Sequence, residues 1–248
     1  RRQRQMCIRD REVRDFYGQT ETTAMIGNPP WFKGNKIKPG SMGMPTFMYN
    51  MILLDDNGNE ITKPGEIGQI AVKLTPWRAI GLLKSYMEKE KNEDAFRGGY
   101  YLTGDKAFFD EDGYWWFVGR ADDVIKTSDY RVGPTEIESI LIQHPAIAEI
   151  AVVASPHPEK YQVVKAFVVL KPGYEPSKEL ALDIFKHAKK SLSYYKVPRI
   201  IEFVNDLPKT ISGKILRREL RKVEEEKKTK GIKEINEYFY DDFPELKK

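Results

Sequence analysis

The chain has 248 residues, room for one large or two ordinary domains, and is 40% hydrophobic and 31% charged. No apolar run approaches the length of a membrane span and the charged residues are interspersed, so a soluble globular protein is expected. The formal net charge of +4 would suit an anionic partner, but the excess sits in the first eleven residues.

Those residues, "RRQRQMCIRDR", back-translate codon by codon to a transposase-end adapter of the kind used in sequencing libraries. Residues 1–11 are therefore read as an adapter-derived artefact, with natural sequence expected from near Glu12 and its true N-terminus missing. Setting aside their five arginines and one aspartate leaves 36 basic and 36 acidic residues, a net charge of zero. The charge-based case for nucleic acid or an anionic membrane goes with them. The one cysteine, Cys7, goes too. The remainder offers no disulfide, Cys-ligated zinc or thiol nucleophile, which fits a reducing, cytoplasmic setting.

In chain order, the polar stretch "DFYGQTETT" (15–23) reads as a loop. "FMYNMILL" (47–54) reads as a buried strand, closed by a turn with the Asn57-Gly58 pair and followed by a partner strand, "GEIGQIAVKL" (65–74). A second hairpin turns at "DEDG" (110–113) into the aromatic strand "YWWFV" (114–118). A domain boundary and hinge are placed at 119–123. After it come a short hairpin (124–132), a helix opened by Pro134, and two β-branched runs, "AEIAVVAS" (148–155) and "VVKAFVVL" (163–170). An amphipathic helix over 178–192 and the strand "RIIEFV" (199–204) complete a compact α+β domain, 124–222. A helical pattern from Gly213 runs into a charged tail, 223–248, whose aromatic end either docks or stays disordered.

Four polar motifs recur in fixed order along this frame: "YGQTE" (17–21), "YLTGD" (101–105), "GRADD" (119–123) and "LPKTISGKI" (207–215). Singly each is weak. "TGD" before a strand is a common turn, in which Asp105 would be no more than a cap, and Ser212-Gly213-Lys214 suits a helix entry. Together they resemble the adenylate-forming superfamily of acyl-CoA synthetases, luciferases and peptide-synthetase adenylation domains. "KIKPGSMGMP", "RADDVIK", "YRVGPTEIES" and "VVKAFVVL" look most like its medium-chain acyl-CoA synthetases.

The resemblance implies that 12–118 is the end of a large N-terminal adenylating domain, with a β-barrel-like subdomain, and that 124–222 is a mobile C-terminal domain. It implies a two-step reaction on a small carboxylic acid with ATP, Mg²⁺ and CoA: adenylation with loss of pyrophosphate, then displacement of AMP by the CoA thiol. Asp15, Phe16, Tyr17, Gly18, Gln19 and Thr20 would line the ATP/AMP site, with Tyr17 against adenine, Gly18 admitting the nucleotide and Thr20 donating to the α-phosphate. Glu21 would hold the metal, for which oxygen ligands are suited. Asp105 and Arg120 would meet the ribose hydroxyls, and Arg131 the phosphate. Lys214 would bridge the carboxylate and the α-phosphate. Asp122 would be the hinge about which the small domain rotates, bringing Ser128, Asp129, Tyr130 and Lys160 to CoA.

Two departures stand out. Asp129 occupies a position where the resemblance calls for glycine, whose positive φ and small size let the pantetheine arm pass. Lys160 stands where relatives carry arginine, keeping the charge and losing the planar fork. The phosphate-cradling loop and most of an acyl pocket are expected to lie upstream of this chain. The chain alone is therefore expected to be inactive and to expose apolar surface. An adenylating enzyme that loads a carrier protein, and a nucleotide-binding remnant without ligase activity, are the alternatives.

Overall fold

The computed structural model describes residues 14–29 and 36–246; the segment 1–11, attributed to an adapter, lies outside them, as does Glu12. The chain divides into two compact units, Arg1–Ala121 and Asp122–Lys248.

In the first unit, strands β1 (Phe16–Gln19), β2 (Thr23–Gly27) and β3 (Met44–Pro45) form an antiparallel sheet in that order. The stretch expected as a loop is thus mostly a hairpin. A five-stranded sheet follows, from β4 (Met51–Leu54), β5 (Gly68–Lys73), β6 (Phe96–Arg97), β7 (Tyr100–Phe109) and β8 (Trp115–Arg120). Its hub is the ten-residue β7, which pairs with β5, β6 and β8. Because β6 and β8 both take their partner from β7, β4 ends the sheet, and the barrel-like closure expected from the sequence is not formed among the described residues.

Alternation along β5 and β7 sends Ile70, Val72, Tyr101 and Ala107 into a core with Met25, Ile26, Leu53 and Trp115. The turn after β4 behaves as its sequence requires. Gly58 takes a φ of 85°, and Asp55 Oδ1 accepts from the amides of Asn57 and Asn59. The strand expected from Phe47 starts only at Met51. Tyr49 N donates to Thr46 O in a turn, leaving Phe47 86% exposed. Helix α1 (Lys89–Ala95) buries no residue, so it has no apolar stripe from which it could have been read.

The second unit is a six-stranded sheet of β9 (Ile125–Thr127), β10 (Tyr130–Val132), β11 (Ile147–His157), β12 (Tyr161–Leu170), β13 (Ile200–Phe203) and β14 (Glu237–Phe239). Helices α2 (Pro134–Leu141), α3 (Lys178–Ser191) and α4 (Arg217–Lys230) pack on it. β12 is central, antiparallel to β11 and parallel to β13. Period-2 alternation sorts the faces. Val164, Ala166 and Val168 join α2 and α3 through Ile137, Leu141, Ile184 and Phe185, and Phe167 meets Leu220 of α4. Ser177 caps α3, its side chain accepting from Leu180 N.

Lys165 lies on the α4 face of β12, is fully buried, and places its Nζ within 2.7 Å of Glu202, Glu224 and Glu237. Ser155 donates a further hydrogen bond to Glu224, and Lys227 and Lys228 flank the cluster. One cation therefore ties β12 to β13, α4 and β14. The expected break between 222 and 223 falls inside α4. The tail beyond it docks: β14 pairs with β13, and Tyr240, Phe243 and Leu246 enter the core.

Burial alone would depress the Lys165 pKa, yet its three glutamate partners hold it above the usual lysine value. Glu237 is displaced oppositely: burial pushes it up, and Lys165 with Lys228 more than reverses this, leaving it below the ordinary 4.5. A lowered carboxylate pKa gives stability that is present above the ordinary value and lost as pH falls through the lowered one. Lys165→Met leaves three buried carboxylates without their cation, an expected loss of about 3–5 kcal/mol at pH 7. Urea unfolding should show the deficit narrowing at pH 5 as the stranded glutamates take up protons. A deficit under 1 kcal/mol at pH 7, or one independent of pH, would contradict this role.

Candidate functional site

The first unit gathers its polar motifs around one carboxylate. Asp105, on β7, is 5% exposed. Its Oδ2 accepts from Tyr17 Oη at 2.6 Å and Gln19 Nε2 at 2.9 Å, and its Oδ1 faces Arg120 Nη1 at 3.4 Å. The ladder dictates the last contact, since Asp105 and Arg120 are paired across β7 and β8. Its side-chain partners come from β1 and β8, so Asp105 is no simple turn cap. Gln19 is itself fixed, donating to Thr103 O and accepting from Tyr101 Oη at 2.9 Å.

Burial first, and then the Asp105 charge, push the Tyr17 phenol far above the ordinary value. Burial and then its tyrosine and carboxylate neighbours do the same to Tyr101. Both stay protonated donors at any working pH. The result is a fixed carboxylate framed by neutral donors and one guanidinium. A carboxylate has about four lone-pair sites, so Asp105 retains capacity to accept from a ligand diol.

Two glycines permit this closeness. A Cβ on Gly18 would fall 1.7 Å from the carbonyl oxygen of Thr23. Its small size therefore serves the hairpin itself, whose register shifts between Tyr17 and Gly18. Gly104 has a φ of 74°, and a Cβ there would approach Arg120 Nη2 to 2.9 Å. Thr20 is exposed in the turn after β1, Phe16 is exposed at the start of β1, and Asp15 is exposed just before it, with its carbonyl accepting from Asn28. Glu21 is half-buried, and its Oε1 accepts from Tyr86 Oη at 3.0 Å. Tyr86 lies in a loop that no motif marks.

The second unit carries the remaining residues on two separate features. The turn between β9 and β10 consists of Ser128 and Asp129. Here the expectation for Asp129 needs correction: the left-handed residue is Ser128, at φ 50°, so the turn makes no demand for glycine at 129. The strain is borne one residue earlier, with Ser128 N donating to Lys160 O. Ser128, Asp129, Tyr130 and Lys160 line a cavity of about 310 Å³ together with Tyr194 and Tyr195. Tyr130 stacks on Tyr195 at 4.1 Å between centroids, and Tyr194 stands edge-on to both. The pair lies between the helix and the strand read from the sequence, in a stretch that no motif marks. Arg131 is exposed and falls on the opposite face of β10 from Tyr130.

Lys214 is exposed in a tight hairpin closed by a bridge between Lys209 and Ile215. Thr210 holds the loop, donating N–H to Lys214 O and accepting from Lys214 N at its Oγ1. Gly213 takes a φ of 81°. The helix-entry alternative for 212–214 is thus replaced by a turn, and α4 begins at Arg217. Lys209 anchors the base to Asp206 and Glu149 at 2.8 and 2.7 Å. Asp122 pairs with Arg221 at 3.1 Å, and Asp123 contacts both Arg221 and Arg217. Among the described residues the one trio of acidic groups close enough to share a metal ion is Glu202, Glu224 and Glu237. Lys165 already occupies its centre.

Comparison with known proteins adds a family. The description "AMP-binding enzyme" matches residues 1–86 and "AMP-binding enzyme C-terminal domain" matches 136–214. The first match begins at Arg1 and so runs through the segment attributed to an adapter. The 4-hydroxybutyrate–CoA ligase 1 of Metallosphaera sedula is 64% identical over 228 residues, covering 92% of this chain and 40% of the relative. The mitochondrial acyl-coenzyme A synthetase ACSM3 of Rattus norvegicus is 51% identical over 216 residues, 86% of this chain and 37% of the relative. Among solved structures, the anthranilate CoA ligase AuaEII in complex with anthranoyl-AMP superposes with a TM-score of 0.76 at 39% identity, covering 88% of this chain and 41% of that one. The o-succinylbenzoate CoA synthetase MenE of Bacillus subtilis, in complex with an acyl-adenylate, gives 0.71 at 31% identity, covering 84% of this chain and 41% of that one. The chain spans about two-fifths of the length of these relatives. With the AMP-binding enzyme description matched over 1–86 and its C-terminal domain over 136–214, in that order, the chain belongs to the AMP-binding enzyme family.

Proposed function

We propose that this chain is the C-terminal portion of an ATP-dependent, AMP-forming acyl-CoA synthetase for a short- or medium-chain acid. The observation that carries the reading is Asp105, a buried carboxylate held by Tyr17, Gln19 and Arg120. A buried charge with so many fixed donors, and capacity left to accept a diol, is suited to a ribose. In the first step a carboxylate oxygen attacks the α-phosphorus of ATP and pyrophosphate departs with its bonding electrons. In the second the CoA sulfur attacks the acyl carbon, the thiol proton is lost, and AMP leaves.

In this scheme Asp105 and Arg120 hold the ribose, Tyr17 lies beside the adenine, with Asp15, Phe16, Gly18 and Gln19 around it, and Thr20 donates to the α-phosphate. Arg131 and Lys214 supply positive charge where phosphate charge is redistributed. Glu21 is the residue that would hold Mg²⁺. The donor set fits: Tyr86 engages only Oε1, and a single carboxylate beside substrate phosphates is the usual protein share of a Mg²⁺ site. The bound ion would neutralise phosphate charge.

The aromatic cavity at Ser128, Asp129, Tyr130 and Lys160 fits the nucleotide end of CoA, with Tyr194 and Tyr195 as a stacking surface and Lys160 for a phosphate. Asp122 is the proposed hinge. The 64%-identical relative is named for 4-hydroxybutyrate, an acid inside the proposed class. A carrier-loading enzyme is the second reading; relatives named as CoA ligase and acyl-coenzyme A synthetase favour CoA as the acceptor. No helix among the described residues is long and apolar enough to cross a membrane. A cytoplasmic location is part of the proposal, although some relatives are named mitochondrial.

Two measurements on the full-length enzyme test these roles. Lys214→Gln should lower carboxylate-dependent pyrophosphate exchange about 10²- to 10³-fold while supplied acyl-adenylate is still converted to thioester; equal loss in both half-reactions would remove Lys214 from its step. Asp129→Gly should raise the thioester rate and leave pyrophosphate exchange unchanged, since it removes bulk and negative charge from the CoA cavity. Equal thioester rates would show that Asp129 obstructs nothing.

A further inference from the structure

The loop between β5 and α1 contains one residue that behaves unlike its neighbours. Ser85, Met87 and Glu88 are exposed, Met87 completely, while Tyr86 turns inward, half-buried, and ends on Glu21 Oε1 at 3.0 Å. Its backbone is clamped on both sides by one side chain: Tyr86 N donates to Asn92 Oδ1, and Asn92 Nδ2 donates to Tyr86 O, both at 2.7 Å. The same Nδ2 also donates to Glu88 O at 2.9 Å. Asn92 belongs to α1, the helix that buries no residue. Only Ala95, at its last position, packs against the core, and the clamp from Asn92 ties the helix to the loop that carries Tyr86. The loop grips Glu21 at a second point, where Leu83 N donates to Glu21 O at 2.7 Å.

We infer that Tyr86, held by Asn92, is a positioning residue that fixes the rotamer of the Glu21 carboxylate and thereby sets the affinity of the site for a divalent cation. This rests on the metal-holding reading of Glu21. The chemistry is that of an outer-shell hydrogen bond. A neutral O–H occupies one carboxylate oxygen, removes the rotational freedom of a long side chain, and leaves the other oxygen aimed in one direction. Removal of such partners typically weakens metal binding by about 10- to 100-fold. Tyr86 is tied into the rest of the site by position: its ring lies 6.5 Å from Phe96, which in turn packs 5.1 Å from Tyr101, and Tyr101 donates to Gln19 beside Asp105. The metal-holding and ribose-holding carboxylates thus belong to one supported layer.

The test uses the full-length enzyme with Mn²⁺ as probe. Calorimetry gives the affinities of Mn²⁺·ATP and of metal-free ATP in chelator, and water-proton relaxation reports the bound ion directly. Tyr86→Phe is expected to weaken Mn²⁺·ATP binding about tenfold, leave metal-free ATP binding unchanged, and alter the relaxation enhancement of bound Mn²⁺. Asn92→Ala should act in the same direction. Unchanged Mn²⁺·ATP affinity in Tyr86→Phe overturns the inference, as does an equal loss with and without metal, which would mark a purely structural role. Glu21→Gln separates the two layers of the claim. If it weakens Mn²⁺·ATP binding while Tyr86→Phe does not, only the positioning role fails; if Glu21→Gln has no effect, the metal-holding reading fails and the inference with it.

Discussion

A charge removed from water must be met by partners, and each unit of this protein is organised around one such charge. In the first it is the Asp105 carboxylate, met by Tyr17, Gln19 and Arg120. In the second it is the Lys165 ammonium, met by three glutamates from three elements. Desolvation makes either group costly if a partner is missing, so the partners' backbones must arrive in register. For Asp105 the register is set by β7, paired to β8 on one side and β5 on the other. For Lys165 it is set by β12, β13, α4 and β14.

The two clusters differ in what remains accessible. Lys165 is sealed, and each of its glutamates serves the fold. Its partners Glu202 and Glu224 have a structural consequence: β13 precedes the Lys214 loop and α4 follows it, and both are fastened to the same ammonium. The tight hairpin bearing Lys214 is thus carried between two anchored elements. Asp105 is also buried, yet it is bordered by half-exposed Arg120 and by the exposed hairpin turn at Thr20. A rigid carboxylate beside an exposed polar turn suits a nucleotide site, because fixed dipoles cost nothing to reorganise when charge moves.

What was legible in the sequence follows from how local its cause is. Turns at Asn57-Gly58 and Asp110–Gly113 and the Pro134 helix start are each encoded within a few residues, and all appear. The motifs were legible as a set because their order is a sequence property. Long-range pairings were not. Lys165 looks like a polar interruption in "VVKAFVVL", and its partners Glu224 and Glu237 lie 59 and 72 residues away inside what reads as a solvated charged tail. The same distance hid the docking of Tyr240 and Phe243, the Tyr194–Tyr195 shelf, and the bond from Tyr86 to Glu21, 65 residues apart. At Asp129 the difficulty was local but subtle: a two-residue turn can place its left-handed residue at either position, and this one places it at Ser128.

The central claim is that the Asp105 layer serves an AMP-forming ligation. Its most direct measurement is the nucleotide product when the full-length enzyme is given 4-hydroxybutyrate or butyrate, ATP and CoA. The claim requires AMP, pyrophosphate and acyl-CoA in equal amounts, with all three abolished together by Asp105→Ala. Formation of ADP and phosphate, or product formation undiminished by Asp105→Ala, would contradict it.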